Sequence, residues 1–120
     1  MENETDLTKQ LPDGCVVLCG ANGYDEKYFL NPDFIKLPQA IQEELKIISV
    51  LFTKETGGIF LIYFNEDGEV EFEERCAEED IMYDRVTAGL LIGEVRRKRQ
   101  ELIEQLELFY RAFILGEEIE

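Results

Sequence analysis

An α+β fold, with an antiparallel sheet of about five strands packed by a long C-terminal helix, is predicted by three features of this 120-residue sequence. Short apolar, β-branched runs separated by glycine-containing turns read as strands. The alternating segment EVEFEE reads as a strand with one solvated face. An apolar stripe at helical spacing from Glu94 to Leu115 reads as the closing helix. A hydrophobic content of 45% in a chain of this length suits one core and one domain. Its expected bounds are residues 13–116, with a mobile acidic tail at 1–12 and a frayed C-terminus at 117–120.

The run CVVLCGA, from Cys15 to Ala21, is apolar and β-branched in its middle, and EKYFLN follows Asn22-Gly23. Asn-Gly between two such runs signals a hairpin. In a regular strand Cys15 and Cys19 would share a face about 13 Å apart, too far for a disulfide. Asn31-Pro32 ends the second strand. PQAIQEEL then starts a helix with Pro38 in the first turn, where its missing N–H is tolerated, and with Ile41 and Leu45 on one face. KIISVLFT is β-branched and apolar, so the helix is expected to give way to a strand near Lys46.

The runs ISVLF, IFLIYF and EVEFEE, joined by turns at Glu55 to Gly58 and at Asn65 to Gly68, form an expected three-stranded meander. In its last strand Val70 and Phe72 face inward, and Glu69, Glu71 and Glu73 face outward. AEEDIMYDRV, past Cys76, reads as a short helix or turn, interrupted near Gly89 and Gly93. In the closing helix Val95, Leu102, Leu106, Phe109 and Phe113 hold one face, and Gly116 stands as a stop. The resulting order, ββαβββα, resembles that of profilin-like, longin and roadblock-type domains. The resemblance to profilin-like domains implies that apolar residues left on the sheet or the long helix serve association.

The chemistry-bearing residues are few. The chain has no histidine, which removes the commonest general base and metal ligand, and Ser49 is its only serine. No glycine-rich phosphate-cradling motif occurs. No catalytic residue and no cofactor is expected, and the chain does not read as an enzyme. A net charge of −15, from 27 acidic and 12 basic residues, repels phosphate backbones and anionic lipid, so neither a nucleic acid nor a membrane is an expected partner. No apolar run approaches the roughly 20 residues that cross a bilayer. The acidic start MENETDLTKQLPDG does not resemble a secretory signal. Cys15, Cys19 and Cys76 make an odd count that fits reduced thiols and a cytoplasmic location.

The segment from Tyr63 to Glu74 partly echoes a calcium loop, with Asn65, Asp67, Gly68 and Glu74 at the third, fifth, sixth and twelfth positions. Tyr63 occupies the first ligand position and a strand stands where a helix is required, so a β-turn is expected and no metal site. The run Arg96-Arg97-Lys98-Arg99 is the one reversal of charge. Glu94 with Lys98 and Arg97 with Glu101 are spaced to pair along a helix. The four basic residues, set against Glu69, Glu71 and Glu73, form the candidate interaction residues, docking on the acidic sheet of the same or a second molecule.

The segments VVLCGANGYDEKYFLNPDF, LPQAIQEELKIISVLFTKETGGIFLIYF and ELFYRAFILGEE resemble a family of small, acidic bacterial proteins of unknown function. That resemblance implies no activity and no functional residue. The sequence therefore points to a non-enzymatic protein-interaction or regulatory module, with a protein partner or self-association as a homodimer through the long helix or a sheet edge. The alternative is a small-ligand or divalent-cation sensor.

Overall fold

Two hairpins supply the sheet. β1 (Val16–Asn22) pairs with β2 (Lys27–Leu30), and β3 (Ile59–Phe64) with β4 (Val70–Arg75). β1 and β3 join the hairpins, giving the antiparallel order β2-β1-β3-β4. The computed structural model describes residues 11–116, and among these residues the sheet has four strands, not five. The expected tail at 1–12 falls mostly outside the described residues, and the expected fraying at 117–120 falls wholly outside them. Leu11, the first described residue, packs beside Val17 and Leu61.

The fifth strand is lost because ISVLF is helical. Helix α1 spans Gln39–Thr56, and its buried residues Leu45, Ile48, Ser49, Phe52 and Thr53 recur at helical spacing. The β-branched composition of KIISVLFT favours a strand locally, but burial of that stripe against the sheet decides. Ser49 lies on the buried face, its Oγ 3.9 Å from the Cys19 thiol. The expected meander is thus a single hairpin, and the five-stranded order ββαβββα does not form.

The closing helix also differs. It begins at Arg85 and breaks at Arg99, giving α2 (Arg85–Lys98) and α3 (Gln100–Phe109). Gly89 and Gly93 lie inside α2 and do not interrupt it. Asp84 caps α2, accepting hydrogen bonds from the backbone N–H groups of Val86 and Thr87 and from the Thr87 hydroxyl. The Thr87 bonds hold its carboxyl below the usual carboxylate range, so the cap weakens as pH falls through that lowered range.

After α3 the chain widens into a π-helical turn, Tyr110–Ile114, closed by the Leu115 N–H bonding to the Tyr110 carbonyl at 3.0 Å. The extra residue shifts the stripe. Leu102, Leu106 and Tyr110 are buried, while Phe113, expected on the same face, is 67% exposed and packs against Phe109 with tilted rings.

A second irregularity lies in β1. Val17 pairs with Tyr63 and Cys19 with Ile62, so Leu18 is an extra residue that reverses the alternation. Leu18 and Cys19 both enter the core beneath the helices, while Val17 joins Leu61 on the other face. Cys15 and Cys19 therefore do not share a face. Asn31 supports the bulge, its Nδ2 donating to the Val17 carbonyl and its backbone N–H to that of Leu18.

Burial of acidic protons gives the fold a pH-sensitive flank. Burial pushes the Cys19 thiol up to about 12, only partly offset by Ser49. Burial also raises Tyr28 and Tyr83, with further contributions from Cys19 and Glu74 respectively. Each group holds its proton more tightly folded than unfolded, so its contribution is complete below the unfolded pKa and is lost as pH rises towards the folded one. For Cys19 that window runs from 9 to about 12, and the loss approaches about 1.4 kcal/mol per pH unit. Urea melts across that range are expected to show a steep alkaline decline, shallower in Cys19→Ala. An unchanged slope in the variant would remove Cys19 from the account.

Candidate functional site

The last turn of α2 carries the basic run, and the fold brings most of it to acidic partners within the chain. Arg96 reaches the edge strand β4, its Nη2 3.2 Å from Glu71 Oε1 and its guanidinium 4.9 Å from the centre of the Phe72 ring. Arg99 Nη1 donates to Glu44 Oε2 on α1 at 2.6 Å, fastening the break between α2 and α3 to the neighbouring helix. Lys98 pairs with Glu94 at 3.0 Å and holds that carboxyl below its usual range. Arg97 forms no ion pair with Glu101, because the interruption at Arg99 lies between them.

The acidic candidates are similarly engaged. Asn65 Nδ2 donates to Glu69 and Glu71 across the β3–β4 turn, and Arg75 Nε donates to Glu73 at 2.7 Å. Of the acidic candidates the structure therefore joins only Glu71 to the basic run, through Arg96, and leaves Glu69 and Glu73 with partners from the hairpin. Such partly exposed pairs position elements more than they stabilise them.

The calcium-like spacing is dispersed by the same hairpin. Asn65 Oδ1 accepts from the N–H groups of Asp67 and Glu69, closing the turn on itself. Glu74 lies towards the far end of β4, where it accepts from the Tyr83 hydroxyl at 2.7 Å and from Arg85. Among the described residues no cluster of three or more carboxylate or thiol groups is placed to hold a metal ion.

The surface that sequence reasoning missed is apolar. Ala88 and Val95 turn α2 towards the core, so Val86 and Leu90 fall on its outward side, 73% and 70% exposed. On α1, Ile47 and Leu51 are 52% and 55% exposed. Leu51 also lines a groove of about 200 Å³ between α1 and α2, with Ile48, Phe52, Leu91 and Val95. Glu55 and Glu94, with Lys98 and Arg99, bring both signs of charge to the groove. Gly89 and Gly93 lie one turn apart in α2, and a Cβ added at either would meet nothing within 4 Å. The signal was present in RVTAGLLIGEV, whose Val86, Gly89, Leu90 and Gly93 share a helical face, but it requires the helix to run through both glycines.

No helix among the described residues is long and apolar enough to cross a membrane. Residues 15–118 match the model of a family of unknown function, DUF6145, and the chain belongs to that family. No curated protein and no solved structure matches the chain.

Proposed function

We propose that this DUF6145 member is a non-enzymatic interaction module of the cytoplasm, working as a homodimer assembled through the outward face of α1 and α2. The observation that carries the reading is the exposure of Ile47 and Leu51 on α1 and of Val86 and Leu90 on α2, with Leu51 lining the groove between the two helices. Four large apolar side chains on two adjacent helices are characteristic of an association surface. A second copy is the occupant favoured by charge. Two-fold pairing would bring Glu55 of one copy to Lys98 and Arg99 of the other, beyond the Glu94 and Glu44 that those cations meet within the chain, in a chain whose net charge otherwise repels its copy. Cys15, Cys19 and Cys76, all free thiols, fit a reducing compartment.

Gly89 and Gly93 supply the discriminating test. Glycine within a helix is about 1 kcal/mol less favourable than alanine, and neither position has a packing reason within the monomer. Close approach of a partner helix would supply one. Gly89→Ala/Gly93→Ala is expected to raise the melting temperature of dilute protein while weakening the dimer in sedimentation equilibrium. Leu51→Asp/Leu90→Asp is expected to yield a folded monomer. A native chain that stays monomeric at millimolar concentration refutes the reading, as does alanine substitution that leaves the dimer unweakened.

A further inference from the structure

The two flanks of α1 differ in charge. The flank towards α2 and α3 carries Glu44 and Glu55, whereas Lys46 and Lys54 lie on the flank towards β2. On this second flank, Lys46, Val50, Thr53 and Lys54 recur at helical spacing and form one wall of a groove of about 680 Å³. The facing wall is the turn end of the β1–β2 hairpin, where Ala21, Lys27 and Tyr28 line the groove. A volume of this order accommodates a small organic molecule.

Charge makes the groove unusual in this chain. Three of the twelve basic residues line it against one carboxylate, Glu26, in a protein with 27 acidic residues. Lys46 and Lys54 form no ion pair among the described residues, although Glu43 lies three positions before the first and Glu55 directly follows the second. The net charge of −15 already serves solubility, so these two ammonium groups are not needed for it.

A separate observation concerns Tyr28. Its hydroxyl is shut off from water and has no hydrogen-bond partner among the described residues. The hydroxyl lies near the buried Cys19 thiol, which itself lies beside Ser49, so it is directed to the core while the Tyr28 ring lines the groove. Val50, Ala21 and the Tyr28 ring give the same groove an apolar part.

We infer that this groove binds a small organic anion, a phosphate or carboxylate carried on a ring-sized apolar body. Lys46 and Lys54 take the charged head, and Tyr28 and Val50 face the body. The site lies across α1 from the proposed dimer face and does not depend on it.

The test is a titration of amide resonances with phenyl phosphate and benzoate, each alone, beside inorganic phosphate. One of the two ring-bearing anions is expected to shift Ala21, Tyr28, Val50 and Thr53 saturably, the active one identifying the head group. Lys46→Glu/Lys54→Glu, at two exposed positions, is expected to weaken that binding about tenfold or more. Its spectrum should otherwise be intact and its sedimentation unchanged, which separates this result from failure of the dimer. Tyr28→Phe, which keeps the ring on the groove wall and removes only a hydroxyl shut off from water, is expected to bind the anion as tightly as the native protein. The proposal is overturned by the absence of saturable shifts with either ring-bearing anion, by shifts that survive the charge reversal, or by inorganic phosphate binding as tightly.

Discussion

Phe64→Ala is expected to destabilise the protein by about 3–5 kcal/mol, a large part of the roughly 5–15 kcal/mol that holds a domain of this size. Phe64 closes β3 and is almost wholly buried. Its ring stacks on Tyr110 with centroids 4.2 Å apart and on Phe34 at 5.5 Å, and Phe34 in turn touches Phe109 at 6.2 Å. One side chain thus joins the sheet, the short 3-10 turn Pro32–Phe34 and the π-helical turn. Removing it leaves a cavity between three elements that cannot all move inward, and it also removes two ring pairs.

The loss should concentrate at the C-terminal segment. Tyr110 also lies over the β3–β4 turn, 3.3 Å from where a Cβ on Gly68 would stand, and Glu107 accepts the edge N–H of Val70 at 2.9 Å. Amide exchange at Leu106 and Tyr110 is therefore expected to accelerate before that of β1. Phe113→Ala is the companion measurement. Its ring is mostly exposed and reaches the core only through Phe109, so its effect should stay below about 1 kcal/mol. Equal effects from the two substitutions, read by urea denaturation, would mean that the π-helical turn does not set which aromatic enters the core.

The reach of the sequence varies with the element. EVEFEE disclosed both its strand and its buried face, because alternation with charge has no helical counterpart. KIISVLFT misled because a helix and a buried strand both accept an unbroken β-branched run. Leu45, Ile48, Phe52 and the small Ser49 hold the helical period, and their significance depends on the sheet beneath them. The break at Arg99 carries no glycine or proline, and it coincides with a tertiary contact to Glu44, which no local signal encodes. The same limit applies to the surfaces. The basic run was plainly visible, yet Arg96 and Arg99 are taken up by Glu71 and Glu44, residues distant in sequence. The groove of Lys46 and Lys54 could not be read while Lys46 marked an expected end of the helix. Tyr28 was visible only as aromatic volume, since an unpartnered hydroxyl is a property of packing.

Gly58→Ala is expected to destabilise the protein by about 3 kcal/mol or more, through crowding added to backbone strain. Gly58 stands between the end of α1 and the start of β3 with φ of 71°, a region that alanine enters at a cost of about 1–2 kcal/mol. A Cβ here would lie 2.6 Å from the Arg75 carbonyl oxygen and 2.6 Å from Tyr83 Cε1. The carbonyl belongs to the last residue of β4, whose register with Ile59 fixes it. The ring is held by its hydroxyl, which donates to Glu74, and Glu74 also receives Arg85 at the start of α2. Relief by moving Tyr83 would thus disturb the residue before the Asp84 cap and the ion pair beside it. Gly57 gives the control, with φ of 74° and nothing within 4 Å of its added Cβ. Gly57→Ala should show only the strain of a backbone region essentially confined to glycine, with ψ of −160°, about 1–3 kcal/mol. Urea melts of the two variants separate conformation from crowding. Equal losses would show that Tyr83 moves aside freely, and α2 would then be anchored by Arg96 and Arg99 without help from its N-terminal end.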